Sequence, residues 1–303
     1  MLKTKKPDEL AFEIRRLVLR HTIDSSGGYL SQACSSAEIF GALFGSLLRL
    51  NPVEKPLIPR PFPGVPSSTN TEYFRGTEFY GEQSADTDRF ILSPTHYSLV
   101  LYAALAASSR MDENGLLEFN KDGSSVEMIG AEHSPGMEVM TGSLGQGLSQ
   151  AAGIAFGRRI KKETGRVIVF MSDGEFQTGM TWETLQFMSH HKLDNLIIIT
   201  DNNRQQCDGC TESVMSVEPL AGRAAAFGAE TVTVDGHDTA AIESAFNTGH
   251  KGKPLLLICN TDPCRGVEPL KQNAPKLHYL RFKSKEEKNK YINFYETNFK
   301  GGK

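Results

Sequence analysis

The sequence predicts an α/β protein with three layers, in which helices cover both faces of a mostly parallel central sheet. One observation is the apolar run at 167–170, which is typical of a strand buried on both faces. A second is that such runs alternate with segments of helical apolar spacing, which favours a parallel sheet. A third is the length of 303 residues with 39% hydrophobic residues, enough for a sizeable core.

The elements follow in order along the chain. The apolar spacing predicts two N-terminal helices at 8–21 and 35–48, the second with Ser35 or Ser36 as its N-cap. A stretch rich in Pro, Gly, Ser, Thr and Asn, at 51–88, indicates a long loop. Further helices are predicted at 97–108, 147–160, 181–191, 218–227, 239–248 and in the charged tail that begins at 283. Strands are predicted at 89–93, 166–171, 195–200, 230–236 and 254–259.

Composition and charge exclude several classes of function. The formal net charge of −3 gives no electrostatic reason to expect nucleic acid or a membrane surface as a partner. The first ten residues lack the apolar stretch of a secretory signal. An odd number of scattered cysteines, five, indicates a reducing, cytoplasmic location. Cys207 and Cys210 form a C-x-x-C, but no second pair has zinc-site spacing, so metal or redox use is not expected there.

Polar side chains follow two consecutive strands of the predicted sheet. Asp173 comes after the first strand and Asn203 after the next, and neighbouring parallel strands would bring both to one sheet edge. Asp173-Gly174 alone would favour an ordinary turn. With Asn203 and a nearby backbone carbonyl, however, the set of hard oxygen donors favours Mg²⁺, with water and a substrate phosphate as further ligands.

A glycine cluster, "TGSLGQGLS" at 141–149, opens a helix of small residues. Its glycines fit neither the G-x-G-x-x-G dinucleotide pattern nor a P-loop. A glycine-rich turn at a helix N-terminus nevertheless offers backbone N–H groups and a positive dipole to an anion. A phosphate-bearing cofactor between this turn and the predicted metal would use both features.

Five blocks together resemble the thiamine-diphosphate-binding half of transketolase. They are "DRFILSPTHYSLVLYAAL", "TGSLGQGLSQAAGIA", the segment from "SDGEF" to "QQCDG", "VDGHD" and "NAPKLH". They stand in the family's order and cover nearly the whole chain. The resemblance implies the diphosphate-binding fold as a single domain over 1–303, with thiamine diphosphate and Mg²⁺, or Ca²⁺ or Mn²⁺, as cofactors.

The resemblance also implies roles for individual residues. Asp173 and Asn203 would bind the metal through their side chains, and Gln205 through its backbone carbonyl. His96 and His278 would face cofactor and substrate as catalytic residues, with Tyr29 beside them. The remaining cofactor-binding residues would be Gly142, Ser143, Leu144, Gly145, Gln146, Gly147, Ser172, Gly174 and Glu175. His237 is expected to be structural, and His133 matches no position of the family.

Transketolase-like enzymes place the cofactor between two domains, and the resemblance covers only the first. It therefore implies an N-terminal subunit that transfers a two-carbon ketol unit from a ketose to an aldehyde together with a separate C-terminal subunit, as an α2β2 assembly. Departures from the family pattern, among them Tyr29 for a histidine, Thr95 for a glycine and Thr178 for a glutamate, indicate specialised substrates. Two alternatives stay open: decarboxylation of a 2-oxo acid, and a non-catalytic scaffold for a partner chain.

Overall fold

A computed structural model of the protein describes residues 5–300. The α-helices are α1 (Pro7–Asp24), α2 (Leu30–Ala42), α3 (Ser98–Ala107), α4 (Gln146–Ile160), α5 (Gly179–His190), α6 (Thr211–Met215), α7 (Leu220–Ala226), α8 (Thr239–Phe246) and α9 (Lys285–Asn298). The strands are β1 (Gly27–Gly28), β2 (Arg89–Leu92), β3 (Val167–Ser172), β4 (Leu196–Asn202), β5 (Gln205–Gln206), β6 (Gly209–Cys210), β7 (Glu230–Asp235), β8 (Leu255–Asn260) and β9 (Leu280–Arg281).

The central sheet has five strands in the order β2-β3-β4-β8-β7, and every neighbouring pair in it is parallel. This confirms the predicted α/β class. It also confirms that the strands preceding Asp173 and Asn203 are neighbours, with Ser172 opposite Asp201. The carboxyl ends of β3 and β4 therefore open at the same edge of the sheet.

Two apolar cores lie on opposite faces of this sheet, because side chains alternate between faces along each strand. Ile168 and Phe170 of β3 belong to the core shared with α1, α2, α3 and α8. Val167, Val169 and Met171 belong to the core shared with α4, α5 and α7. Helices thus cover both faces, which is the three-layer arrangement expected from the sequence.

The structure corrects the predicted start of the second helix. Helix α2 begins at Leu30 with Tyr29 as its N-cap, and neither Ser35 nor Ser36 caps it. Both serines are fully buried inside the helix, where Ser36 Oγ donates to the Gln32 carbonyl at 2.6 Å. Burial on all sides removed the amphipathic pattern that would have revealed the first turn.

Five short elements were absent from the prediction: the paired strands β1 and β9, the hairpin strands β5 and β6, and helix α6. The pairing of β1 with β9 joins Gly27 to Arg281 and so brings the segments around Tyr29 and His278 together. The 51–88 segment is irregular apart from a 3₁₀ turn at Gly76–Tyr80. Among residues 5–300, no helix has the length and apolar character required to cross a lipid bilayer.

Candidate active site

Asp173 lies at the tip of β3 with only 1% of its surface exposed. Its carboxylate accepts from Thr211 Oγ1 at 3.0 Å and from the Gly174 amide at 2.8 Å. Burial, followed by the nearby charge of Asp201, raises the pKa of Asp173 to about 7, and the hydrogen bond from Thr211 opposes this rise. The site thus holds a carboxylate whose ionised form needs a compensating positive charge.

Asn203 follows β4 and is also buried. Its amide oxygen accepts from the backbone N–H of Gln205 at 2.9 Å. Its amide nitrogen donates to the hydroxyl of Tyr97 at 3.0 Å and to Asp201 Oδ2 at 3.3 Å. The side chain therefore links the predicted metal ligand Gln205 to a buried polar cluster beneath it.

A divalent cation fits this set of residues. Asp173 and Asp201 are both buried carboxyl groups, and burial raises the pKa of Asp201 as well. Within residues 5–300, neither forms a salt bridge with a basic side chain. The described residues contain no cluster of three or more His, Cys, Asp or Glu side chains that could hold a metal. A site with one carboxylate and one amide oxygen is of the kind that Mg²⁺ completes with water and phosphate oxygens.

The glycine turn opens α4 as predicted. Gly145 is the N-cap in the left-handed conformation, with φ of +85°, and a Cβ there would lie 2.3 Å from Thr178 Oγ1. Gly147 approaches Ser93 so closely that a Cβ would lie 2.4 Å from its hydroxyl. Both positions therefore require glycine, which fixes the turn against the ends of β2 and β3.

Glu175 holds the glycine turn to the tip of β3. Its side chain is fully buried and accepts from the Gly145 amide at 3.0 Å, from the Ser172 amide at 2.9 Å and from the Ser93 hydroxyl. Burial raises the pKa of Glu175, and these donors oppose the rise. Glu175 thus lies behind the site, in contact with the turn.

A cavity of about 290 Å³ opens beside Asp173 and collects residues from seven separate segments. Predicted site residues on its wall are Tyr29, His96, Gly142, Leu144, Ser172, Asp173, Gly174, Gln205 and His278. Predicted residues outside that wall are Ser143, Gly145, Gln146, Gly147, Glu175 and Asn203. Asn203 instead lines a second cavity, of about 540 Å³, which shares Asp173 and Gln205 with the first.

Three aromatic rings form one side of the smaller cavity. The ring centroid of Tyr29 lies 5.4 Å from that of His278 and 6.2 Å from that of His96, and the two imidazoles are 5.0 Å apart. Burial lowers the pKa of His96 to about 3, and burial also lowers the pKa of His278. Both imidazoles are therefore neutral near pH 7, each able to donate from one nitrogen and accept at the other.

The cavity wall also includes residues that the sequence did not single out for it. They are Met128, Ile129, Gln177, Gln206 and Cys207, and the previously noted Thr95 joins them. Cys207 reaches the wall through the β5–β6 hairpin, while the Cys210 sulfur accepts from Gln205 Nε2 at 3.6 Å. No local sequence motif marks these residues, because the cavity wall is formed by loops that are distant in sequence.

The two other histidines considered in the sequence, His237 and His133, pack against other residues. His237 Nδ1 contacts Glu38 Oε2 at 3.0 Å, and its Nε2 accepts from the Asp262 amide at 2.8 Å. His133 stacks on Phe62, with ring centroids 4.5 Å apart, in the irregular region beside α3. Neither residue lines the cavity.

Comparison with known proteins gives one consistent result. Residues 72–294 match the family profile described as "Transketolase, thiamine diphosphate binding domain". The chain is 33% identical over 284 residues to the uncharacterised transketolase family protein y4mO of Sinorhizobium fredii, covering 92% of this chain and 91% of that protein. It is 30% identical over 257 residues to the 6-deoxy-6-sulfo-D-fructose transketolase subunit SqwG of a Clostridium species, covering 84% of each.

Solved structures agree on the fold. The structure of transketolase from Campylobacter jejuni superposes with a TM-score of 0.74 at 22% identity and covers 96% of this chain. The chain spans 42% of the length of that transketolase.

Proposed function

Since the chain belongs to the transketolase family as a thiamine diphosphate-binding domain, we propose that it transfers a two-carbon ketol unit from a ketose donor to an aldehyde acceptor. We propose further that residues 1–303 form a single domain of this kind. The observation that carries the proposal is the cavity at the carboxyl ends of β3 and β4. It brings Asp173, Gly142, His96 and His278 together from distant parts of the sequence.

The metal would be Mg²⁺, held by the side chains of Asp173 and Asn203 and by the backbone carbonyl of Gln205. Support comes from the buried carboxylates of Asp173 and Asp201, which lack a basic partner in the described chain. The ion would join these groups to the cofactor's diphosphate. When bound, thiamine diphosphate supplies the nucleophilic carbon that accepts the two-carbon unit.

The chain's own residues would orient the substrate and move protons. His96 and His278, both neutral near pH 7, can donate to a sugar hydroxyl or to a developing oxyanion. Tyr29 can donate from its phenol, and burial raises its pKa, so it stays protonated at neutral pH. Ile129 and Leu144 add apolar side chains to the cavity wall.

The proposed assembly has a second chain that supplies the other half of the cofactor site. Two relatives support this: SqwG is named a subunit, and y4mO is similar to this chain over nearly its whole length. We place the α2β2 assembly in the cytoplasm, because the five cysteines are free and scattered.

The substrate is proposed to be a specialised ketose. Tyr29 occupies the cavity at the position where the family resemblance predicts a histidine, and Thr95 lines the wall where a glycine is expected. The relative SqwG is named for 6-deoxy-6-sulfo-D-fructose, a sulfonated ketose, which supports this proposal.

The test is an assay of the chain purified from its own cells with its associated chains. We expect transfer from a ketose phosphate to an aldehyde that depends on thiamine diphosphate and Mg²⁺, and loss of transfer in Asp173→Ala. Turnover of pyruvate without turnover of any ketose phosphate would instead support the 2-oxo acid reaction. An assembly that binds no thiamine diphosphate would contradict catalysis and support a scaffold.

A further inference from the structure

A buried polar cluster lies next to the predicted metal site, and its residues do not line the cavity. Its centre is Asp201, which is fully buried near the end of β4. The carboxylate accepts from the hydroxyls of Ser35 at 2.5 Å and Tyr97 at 2.8 Å, and from that of Thr261. These donors come from α2, from the turn before α3 and from the loop after β8.

The cluster fixes which way the Asn203 amide points. A carboxylate only accepts hydrogen bonds, so the Asn203 group 3.3 Å from Asp201 must be its nitrogen. The Tyr97 hydroxyl donates its only proton to Asp201. In its 3.0 Å contact with the Asn203 amide, that hydroxyl must therefore accept, so the Asn203 group facing it is again the nitrogen. With the nitrogen held below, the Asn203 oxygen faces away from the cluster.

The opposite side of the amide is also fixed. The Asn203 oxygen accepts from the Gln205 amide at 2.9 Å, which leaves a second lone pair on that oxygen for a ligand. One side chain therefore couples the buried cluster to the two groups that would bind the cation, the Asn203 oxygen and the Gln205 backbone.

We propose that Asp201 and Tyr97 are positioning residues for the metal site, holding the Asn203 amide so that its oxygen is presented to the cation. This inference rests on the proposed function, because it takes the cation of the thiamine diphosphate complex as the ligand. Neither residue would touch the metal. Their effect passes through the Asn203 nitrogen, as hydrogen-bonded neighbours of metal ligands generally act.

The test removes one hydroxyl and keeps the fold. Tyr97→Phe retains the ring that packs on Phe170, with centroids 5.0 Å apart, and deletes both hydrogen bonds of the phenol. Tyr102→Phe is a matched control: Tyr102 is as deeply buried as Tyr97, and its hydroxyl donates to the Glu127 carbonyl at 2.7 Å and to neither Asp201 nor Asn203. Asp201→Asn is a second variant.

The measurement is Mn²⁺ affinity by electron paramagnetic resonance, with thiamine diphosphate present, on the assembly in which the full chain purifies. Tyr97→Phe should weaken Mn²⁺ binding by about 10-fold, and Asp201→Asn by at least as much. Tyr102→Phe should bind Mn²⁺ with the affinity of the wild type. This should hold even when the two variants have equally lowered melting temperatures.

Equal Mn²⁺ affinity in Tyr97→Phe and wild type would overturn the positioning role and leave the proposed function intact. Equal weakening in Tyr102→Phe would also overturn it, since a general loss of stability would then explain the effect. A wild-type assembly that binds no Mn²⁺ with thiamine diphosphate would overturn both proposals.

Discussion

The phenol ring of Tyr29 meets the imidazole of His278 edge to face, at an interplanar angle of 87° and a centroid separation of 5.4 Å. Tyr29 is the N-cap of α2, and His278 lies just before β9. The pairing of β1 with β9 holds the two segments together. One short strand pair thus positions two side chains of the candidate active site.

Tyr29→Phe should lower kcat/KM for ketol transfer by about 10-fold, the effect of losing one hydrogen bond to substrate. The ring contacts with His278 remain, so affinity for thiamine diphosphate should not change. Steady-state kinetics and a cofactor titration check both points. Tyr279→Phe, on the neighbouring ring outside the cavity wall, should stay within about twofold of wild type. Wild-type kinetics in Tyr29→Phe would exclude a role for its hydroxyl.

Gly145→Ala should lower the free energy of unfolding by about 2 kcal/mol, because the residue has φ of +85° and the new Cβ would strike Thr178. Denaturant unfolding measures the change. Gly153→Ala is the control on the same helix, where a new Cβ meets nothing within 4 Å. It should be neutral or stabilising by up to about 1 kcal/mol. The prediction fails if the two variants behave alike.

Glu175→Gln should destabilise the protein by about 2 kcal/mol. Both carboxylate oxygens accept backbone N–H groups, from Gly145 and Ser172, so the amide nitrogen of a glutamine must face one of these donors. Denaturant unfolding again provides the measurement. Glu183→Gln, at an exposed position of α5, should leave stability unchanged. A Glu175→Gln protein as stable as wild type would show that this buried charge is dispensable.

Asp173 should make metal-free stability dependent on pH. The pKa of Asp173 is about 7 in the folded protein, above the ordinary 3.8. At a pH between these two values, the folded state therefore retains a proton that the unfolded state has lost. Stability of wild type relative to Asp173→Asn should therefore fall, by on the order of 3 kcal/mol, as pH rises from about 4.5 to about 8.

Unfolding titrations of both proteins across that pH range, in a chelator, measure the difference. Adding Mg²⁺ at the high-pH end should stabilise wild type and leave Asp173→Asn unchanged. A difference that does not vary with pH would show that Asp173 is ionised at no cost in the metal-free fold.

The sequence was sufficient for the features that depend on local pattern. Buried strands such as β3 and β4 appear as apolar runs, and the crossover between them predicts that Asp173 and Asn203 share a sheet edge. The structure confirms that these strands are adjacent and parallel. It also brings Tyr29, His96 and His278 to the wall of one cavity, and their roles toward a substrate stay predictions.

Features that depend on tertiary contact were not predictable. Helix α2 is buried on all sides, so no amphipathic stripe marks its start, and the serines chosen as caps satisfy their hydroxyls inside it. Asp201 is the single acid of "TDNN", but the local pattern assigns it no role, which emerges only when Ser35, Tyr97 and Thr261 converge on it. Cys207 reaches the cavity through a hairpin too short to be detected in the sequence.

Calorimetric titration of thiamine diphosphate into the purified assembly, with Mg²⁺ and then with a chelator, tests the central claim most directly. The claim is that Asp173 and Asn203 hold the cofactor's diphosphate through a divalent cation. It predicts saturable binding with Mg²⁺, and loss of that binding when the metal is chelated. Absence of binding with Mg²⁺, or binding that the chelator does not affect, would contradict it.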